Sequence, residues 1–135
     1  MQTNKDLAGR PLRGEGRTRV AVIGAGEVGS AFAFAMTMEG MCRELAIVNR
    51  TVDKAEGEAM DLNHAMALSA PMDIEAGGYE LCAGARVVVI TAGAAQQAGE
   101  SRLDLAKRNA GIMRKIVANV LEHEPDPVLL VVTNP

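Results

Sequence analysis

Val20-Ala21-Val22-Ile23-Gly24-Ala25-Gly26-Glu27-Val28-Gly29-Ser30 is the stretch whose reading decides the fold. Four apolar residues run straight into a glycine turn, and a helical pattern starts at Glu27. Continuous apolarity, rather than alternation, is what a strand covered on both faces requires, and such strands belong to parallel sheets. Outward from this stretch, Leu45–Val48, Val87–Ile90 and Val128–Val132 have the same short, β-branched character, with a weaker strand over Met72–Glu75. Helices are predicted over Glu27–Met38, Asp53–Leu68 and Arg102–Glu122. The second carries Ala55, Ala59, Leu62 and Met66 at steps of three and four. The third carries an apolar stripe of Leu103, Ala106, Ala110, Met113, Ile116, Val117, Val120 and Leu121, and stops before Pro125 and Pro127. The order β-α-β-α-β followed by β-α-β, wound by right-handed crossovers, predicts an α/β, three-layer, doubly wound parallel sheet of strand order 3-2-1-4-5.

Composition bounds the function. The 135 residues suffice for one domain and are too few for a complete two-domain enzyme. Charged residues make up 23% and apolar ones 48%, a globular composition. With 14 basic and 17 acidic side chains the net charge is −3, which argues against nucleic-acid or anionic-membrane partners. Phe32, Phe34 and Tyr79 are too few for a base-stacking platform. Cys42 and Cys82 are far apart and outside any metal-ligand spacing, so reduced, buried thiols and no metal site are expected. Residues 1–17 are polar and read as a flexible leader without a signal-peptide core, leaving 18–135 as a single domain and a cytoplasmic expectation.

The motif Gly24-Ala25-Gly26-Glu27-Val28-Gly29 is weak alone but lies here between a strand and a helix, the context that makes it a dinucleotide site. Gly24 permits the tight turn, Gly26 a close approach of a pyrophosphate, and Gly29 close packing of the helix, whose N-terminus supplies free N–H groups and positive dipole. An acid normally closes the second strand to hold ribose hydroxyls. Asn49 stands there instead, followed by Arg50. A neutral amide beside a guanidinium accepts a 2′-phosphate that a carboxylate repels, which points toward NADP; Asn49 as a ribose ligand beside a solvated Arg50 is the alternative. After the fourth strand, Gly93 and Gly99 flank a polar stretch suited to a mobile lid. Arg102 then opens a helix, where the dipole disfavours a cation and a functional reason is expected.

VIGAGEVGS, KAEGEAMDLNH, VVITAGA-x-Q, GESRLDLAKRN and VVTNP together resemble the N-terminal, Rossmann-type half of the L-lactate/malate dehydrogenases, with the lactate branch the closer match, over about residues 18–135. The resemblance implies that Gly24, Gly26, Val28 and Gly29 line the pyrophosphate. Asn49 replaces the ribose-binding acid, and Lys54 and Tyr79 touch the adenosine half. Gly93 and Ala94 run under the cofactor, and Val132, Thr133 and Asn134 pass its nicotinamide end. Gln96 falls where malate enzymes carry Arg for a second carboxylate, so a monocarboxylic 2-oxo acid fits better. Arg102 matches the lid arginine that polarises the substrate carbonyl, and Asn134 also reaches substrate. Two departures are Asn49, against the family's usual NAD preference, and Lys115, where bacterial members commonly carry a small hydroxyl residue.

The reading is the cofactor-binding half of an oxidoreductase using NAD or NADP and most closely an L-lactate dehydrogenase. Malate or other 2-hydroxy-acid dehydrogenases and a stand-alone, non-catalytic dinucleotide-binding module are the alternatives. The resemblance implies a general acid/base histidine, its aspartate and a carboxylate-gripping arginine beyond Pro135, so the chain alone is expected to bind dinucleotide and barely turn over. It also implies a homo-oligomer, through the Asp53–Leu68 helix. His64 and His123 read as helix-end residues, and Met36, Met38, Met41, Met60, Met66 and Met113 as core filling.

Overall fold

The computed structural model of the chain describes residues 18–69 and 71–135; the leader expected over 1–17 lies outside them. Its elements are β1 (Arg19–Ile23), α1 (Glu27–Glu39), β2 (Glu44–Val48), α2 (Val52–Ala65), β3 (Asp73–Gly77), β4 (Ala85–Ile90), α3 (Arg102–His123) and β5 (Val128–Val131), with 3₁₀ turns at Met66–Leu68 and Tyr79–Cys82. The strands form one parallel sheet of order β3-β2-β1-β4-β5, the order expected from the sequence.

Alternation along each strand sends side chains to two separate core layers. Val20, Val22, Leu45 and Ile47 pack with Ala33 and Met36 of α1 and with Ala55, Ala59 and Leu62 of α2. Ala21, Ile23, Ala46, Val48, Val88 and Ile90 pack on the other face with Ile116 and Val120 of α3 and with Cys82. Alanines in register across the centre, Ala21 beside Ala46, leave room for α3 to lie close on the sheet. Both cysteines are free and buried, as expected, and burial raises both thiols above their ordinary range, Cys82 to about 11.

Three details differ from the sequence reading. The helix expected over Asp53–Leu68 gives way at Met66 to a 3₁₀ turn. The buried stripe of α3 is Leu105, Asn109, Ile116 and Val120, while Leu103 is 65% exposed. The expected stripe fits the second half of the helix and is out of phase in the first, because there the helix faces a loop rather than the sheet. Finally, Val128, Leu130 and Val131 of β5 are exposed although the strand is apolar throughout. As the sheet's edge, β5 pairs with β4 alone.

Candidate functional site

Parallel strands all point their carboxyl ends the same way, and the winding reverses between β1 and β4, which opens a crevice at that edge. The glycine turn occupies it. Gly24 has φ +111°, a left-handed value that L side chains rarely adopt, and a Cβ there would come within 2.9 Å of Ala92 N. A Cβ on Gly29 would run into the Gly24 carbonyl, so α1 can start close to the turn only with glycine at this place. The Thr91 hydroxyl, 3.2 Å from both the Ile23 and Gly24 carbonyls, ties the end of β4 to this turn.

Gly26 behaves differently from its neighbours. A Cβ there would meet nothing within 4 Å, and Gly26 caps α1 with no side-chain hydrogen bond. No side chain caps the first N–H groups of α1, and exposed Val28 lies beside them. Backbone donors at a positive helix end, bordered by a position where the chain has left a gap, suit an anionic diphosphate. The residues present fit a dinucleotide cofactor.

At the end of β2, the Asn49 carbonyl oxygen accepts from Ala25 N at 3.3 Å, and its amide donates to Thr51 O at 3.0 Å. Asn49 therefore buttresses the glycine turn as well as lying beside the crevice. Arg50 is exposed and makes no ion pair among the described residues. Lys54 is exposed in the first turn of α2. Tyr79 opens the 3₁₀ turn after β3 and packs half-buried against the α3-side core, and burial raises its phenol above the ordinary range.

The segment after β4 is the second part of the site. Gly93 lies against the Thr133 methyl, and the Thr133 hydroxyl bonds Ala92 O at 2.8 Å, so the loops after β4 and β5 touch. Val132 N bonds Ile90 O at 2.9 Å, carrying Asn134 past the same edge. Gln96 Nε2 donates to Glu100 O at 2.7 Å, and Gln97 N donates to the Glu100 carboxylate at 2.8 Å. Arg108 forks onto that carboxylate at 3.1 and 2.7 Å and also donates to Ala95 O at 2.8 Å. The polar stretch read as a mobile lid is thus cross-braced by its own side chains. The Gln97 N–H and, after it, the Arg108 guanidinium hold the Glu100 carboxyl below its ordinary range. Ser101 caps α3 by accepting from Asp104 N, and Arg102 follows it, exposed and without an ion pair among the described residues.

The expected site residues thus gather along one edge of the sheet, except that Tyr79 turns its ring toward the core. Three others that the sequence reading left without a role belong with them: Thr91, Arg108 and Asn109. Asn109 is 4% exposed; it accepts from Ala94 N at 2.8 Å and donates to Pro135 O at 2.7 Å, joining the two loops. Its signal was a polar residue four places after Leu105 on the buried face of α3. His64 and His123 lie in the last turns of α2 and α3, which lead into the amino ends of β3 and β5 and so away from this edge. A concavity of about 540 Å³ lies at that opposite edge, around Arg19, which pairs with Glu44 and Glu75. Among the described residues no cluster could hold a metal ion, and no helix is long and apolar enough to cross a membrane.

Residues 18–135 match the family model described as the lactate/malate dehydrogenase, NAD binding domain. An L-lactate dehydrogenase of Nitratidesulfovibrio vulgaris is 50% identical over 117 residues, 87% of this chain and 38% of that protein. One from Priestia megaterium is 49% identical over 117 residues, again 87% of this chain, and 37% of that protein. Among solved structures, a lactate dehydrogenase from a Medee basin deep-sea metagenome library superposes with TM-score 0.84 at 45% identity, covering 89% of this chain and 39% of that one. A malate dehydrogenase from Archaeoglobus fulgidus, solved in complex with NADH, does so with TM-score 0.80 at 42% identity, covering 87% of this chain and 41% of that one. The chain therefore spans about 38% of the length of the first of these relatives.

Proposed function

Since this chain belongs to the lactate/malate dehydrogenase family, as its NAD-binding domain, we propose that it is the cofactor-binding half of an L-2-hydroxy-acid dehydrogenase acting on L-lactate and pyruvate. In this reading the N–H groups at the start of α1 and the backbone around Gly26 hold the pyrophosphate. Lys54 lies along the adenosine half, with Tyr79 near it only through its backbone since its ring packs on the core, and Gly93, Ala94, Val132, Thr133 and Asn134 line the nicotinamide half. The bound nicotinamide supplies the hydride exchanged with the hydroxyl-bearing carbon. Arg102 places a fixed positive charge against the substrate carbonyl as negative charge develops on its oxygen. Both histidines lie at the far edge of the sheet, and in this reading the proton is handled by the histidine that the family likeness implies outside this chain.

The observation that carries the substrate assignment is the charge balance of the lid. Gln96 is neutral, Arg108 is spent on Glu100, and Arg102 alone of the lid's guanidiniums is left without a carboxylate among the described residues. A dicarboxylate would bring a second negative charge with no cation to meet it, a cost that discriminates against it in a closed site. The likeness to a malate dehydrogenase supports a second reading, with oxaloacetate as substrate, because the nucleotide domain is common to both. Reduction of pyruvate and oxaloacetate by the complete protein decides between them. A preference for pyruvate that Gln96→Arg shifts toward oxaloacetate is expected; a wild-type preference for oxaloacetate overturns the assignment.

For the cofactor we infer tolerance of both NAD and NADP, with NADP favoured slightly. No carboxylate closes β2, the Asn49 amide keeps one N–H beyond its bond to Thr51, and Arg50 is free of ion pairs among the described residues. Titration of NADH and NADPH is expected to give affinities within about tenfold, or about 1.4 kcal/mol. A strong NADH preference would remove the inference. Homo-oligomer formation through α2 and a cytoplasmic location remain proposals that rest on the family likeness, as does the expectation that this chain alone binds dinucleotide without appreciable turnover.

A further inference from the structure

The lid contributes almost nothing to the apolar core. Ala95, Gln96, Gln97, Ala98 and Gly99 are all exposed, so its conformation depends on polar bonds rather than packing. Those bonds converge on one side chain. Arg108 stands on α3, whose Leu105, Ile116 and Val120 are buried, and so projects from a rigid base. Its guanidinium engages both Glu100 carboxylate oxygens and the Ala95 carbonyl, at opposite ends of the loop. Glu100 in turn receives the Gln97 N–H on its carboxylate and the Gln96 amide on its carbonyl. The Gln96 side chain is therefore oriented by a backbone position that Arg108 fixes.

We propose that Arg108 is a positioning residue that latches the lid through Glu100 and thereby sets how Gln96 is presented to the substrate. A planar fork is needed, because a lysine ammonium is a point charge that cannot span two carboxylate oxygens in fixed geometry and reach Ala95 O as well. The consequence for substrate choice rests on the function proposed above; the latch itself does not.

The test uses the complete protein with Arg108→Gln, Arg108→Lys and Glu100→Gln, read by amide hydrogen exchange over residues 95–101, NADH affinity and steady-state kinetics. Arg108→Gln and Glu100→Gln are expected to speed exchange of the lid amides by about tenfold or more, the response of a loop that has lost its tether. NADH affinity stays within about twofold, since the pyrophosphate cradle is untouched, while KM for pyruvate rises by about tenfold, below the 10²-fold that a misplacement of about 1 Å can cost. Arg108→Lys recovers part of both effects. Glu100→Gln keeps the side chain's shape on an exposed loop and reads the same latch should Arg108→Gln fail to fold. Unchanged lid exchange overturns the latch; faster exchange with unchanged KM and unchanged preference between pyruvate and oxaloacetate overturns its role in presenting Gln96. If the wild type reduces no 2-oxo acid, the proposed function fails, and exchange still decides the latch.

Discussion

The two loops that meet at the carboxyl edge are built on opposite principles. The glycine turn at 24–29 is set chiefly by close approaches of main chain, with Gly24 against Ala92 and Gly29 against the Gly24 carbonyl, and is tied down by the neutral side chains of Thr91 and Asn49. The lid at 95–101 is held by charge, with a carboxylate and a guanidinium drawing exposed residues together. The first has one solution and, in the function proposed, serves the cofactor's pyrophosphate. The second can be retuned one side chain at a time, which is where substrate choice is expected to reside.

The contrast is broken most severely by Gly29→Ala. Its added methyl would run into the Gly24 carbonyl and crowd the Thr91 hydroxyl, and we expect a loss of about 3 kcal/mol or more together with loss of dinucleotide binding, measured by urea unfolding and NADH titration. A stability within about 0.5 kcal/mol of wild type would show the turn to be as yielding as the lid. Asn109→Ala comes next. It leaves Ala94 N and Pro135 O without their buried partner, for an expected cost of about 1–3 kcal/mol by the same unfolding measurement, because each loop loses its tie to the other. Asn49→Asp sharpens the comparison from the cofactor side. A carboxylate at the end of β2 is expected to weaken NADPH binding by about tenfold or more relative to NADH, through repulsion of the 2′-phosphate.

The smallest effect concerns pH. The Glu100 carboxyl is held below its ordinary value by the Gln97 N–H first and by Arg108 after it, with Asp104 acting in the opposite sense. A carboxylate whose pKa is lower in the folded loop than in the open one favours the folded loop above the open-state value, and that preference is lost as pH falls through the folded value. Protection of the lid amides is therefore expected to hold from neutral pH down to the ordinary carboxylate range and to fall progressively below it. Protection that declines already between pH 7 and 6 would point to some other group.

Much of the fold was legible because parallel strands announce themselves. Val20–Ile23, Leu45–Val48 and Val87–Ile90 are apolar on both faces, and burial on both faces is what the structure gives them. β5 has the same composition and is half bare, since apolarity records what a strand can be covered by and not whether its neighbours in this chain cover it. The front of α3 misled for a related reason. A helical stripe assumes one continuous partner, but Asn109 faces a loop whose unpaired Ala94 N–H needed an acceptor, and so a polar residue took a buried place.

By itself the sequence determined the strand order and the glycine turn, because each follows from local pattern: hydrophobic period, crossover length and the backbone freedom of glycine; most of the residues expected along the crevice came instead from the resemblance to a family. What only the tertiary structure decided is how those residues are spent. Asn49 is drawn back onto Ala25 and Thr51, Arg108 onto Glu100, and Asn109 onto two loops separated along the chain. Hydrogen bonds between residues distant in sequence depend on distance and direction in space, which the local pattern does not encode.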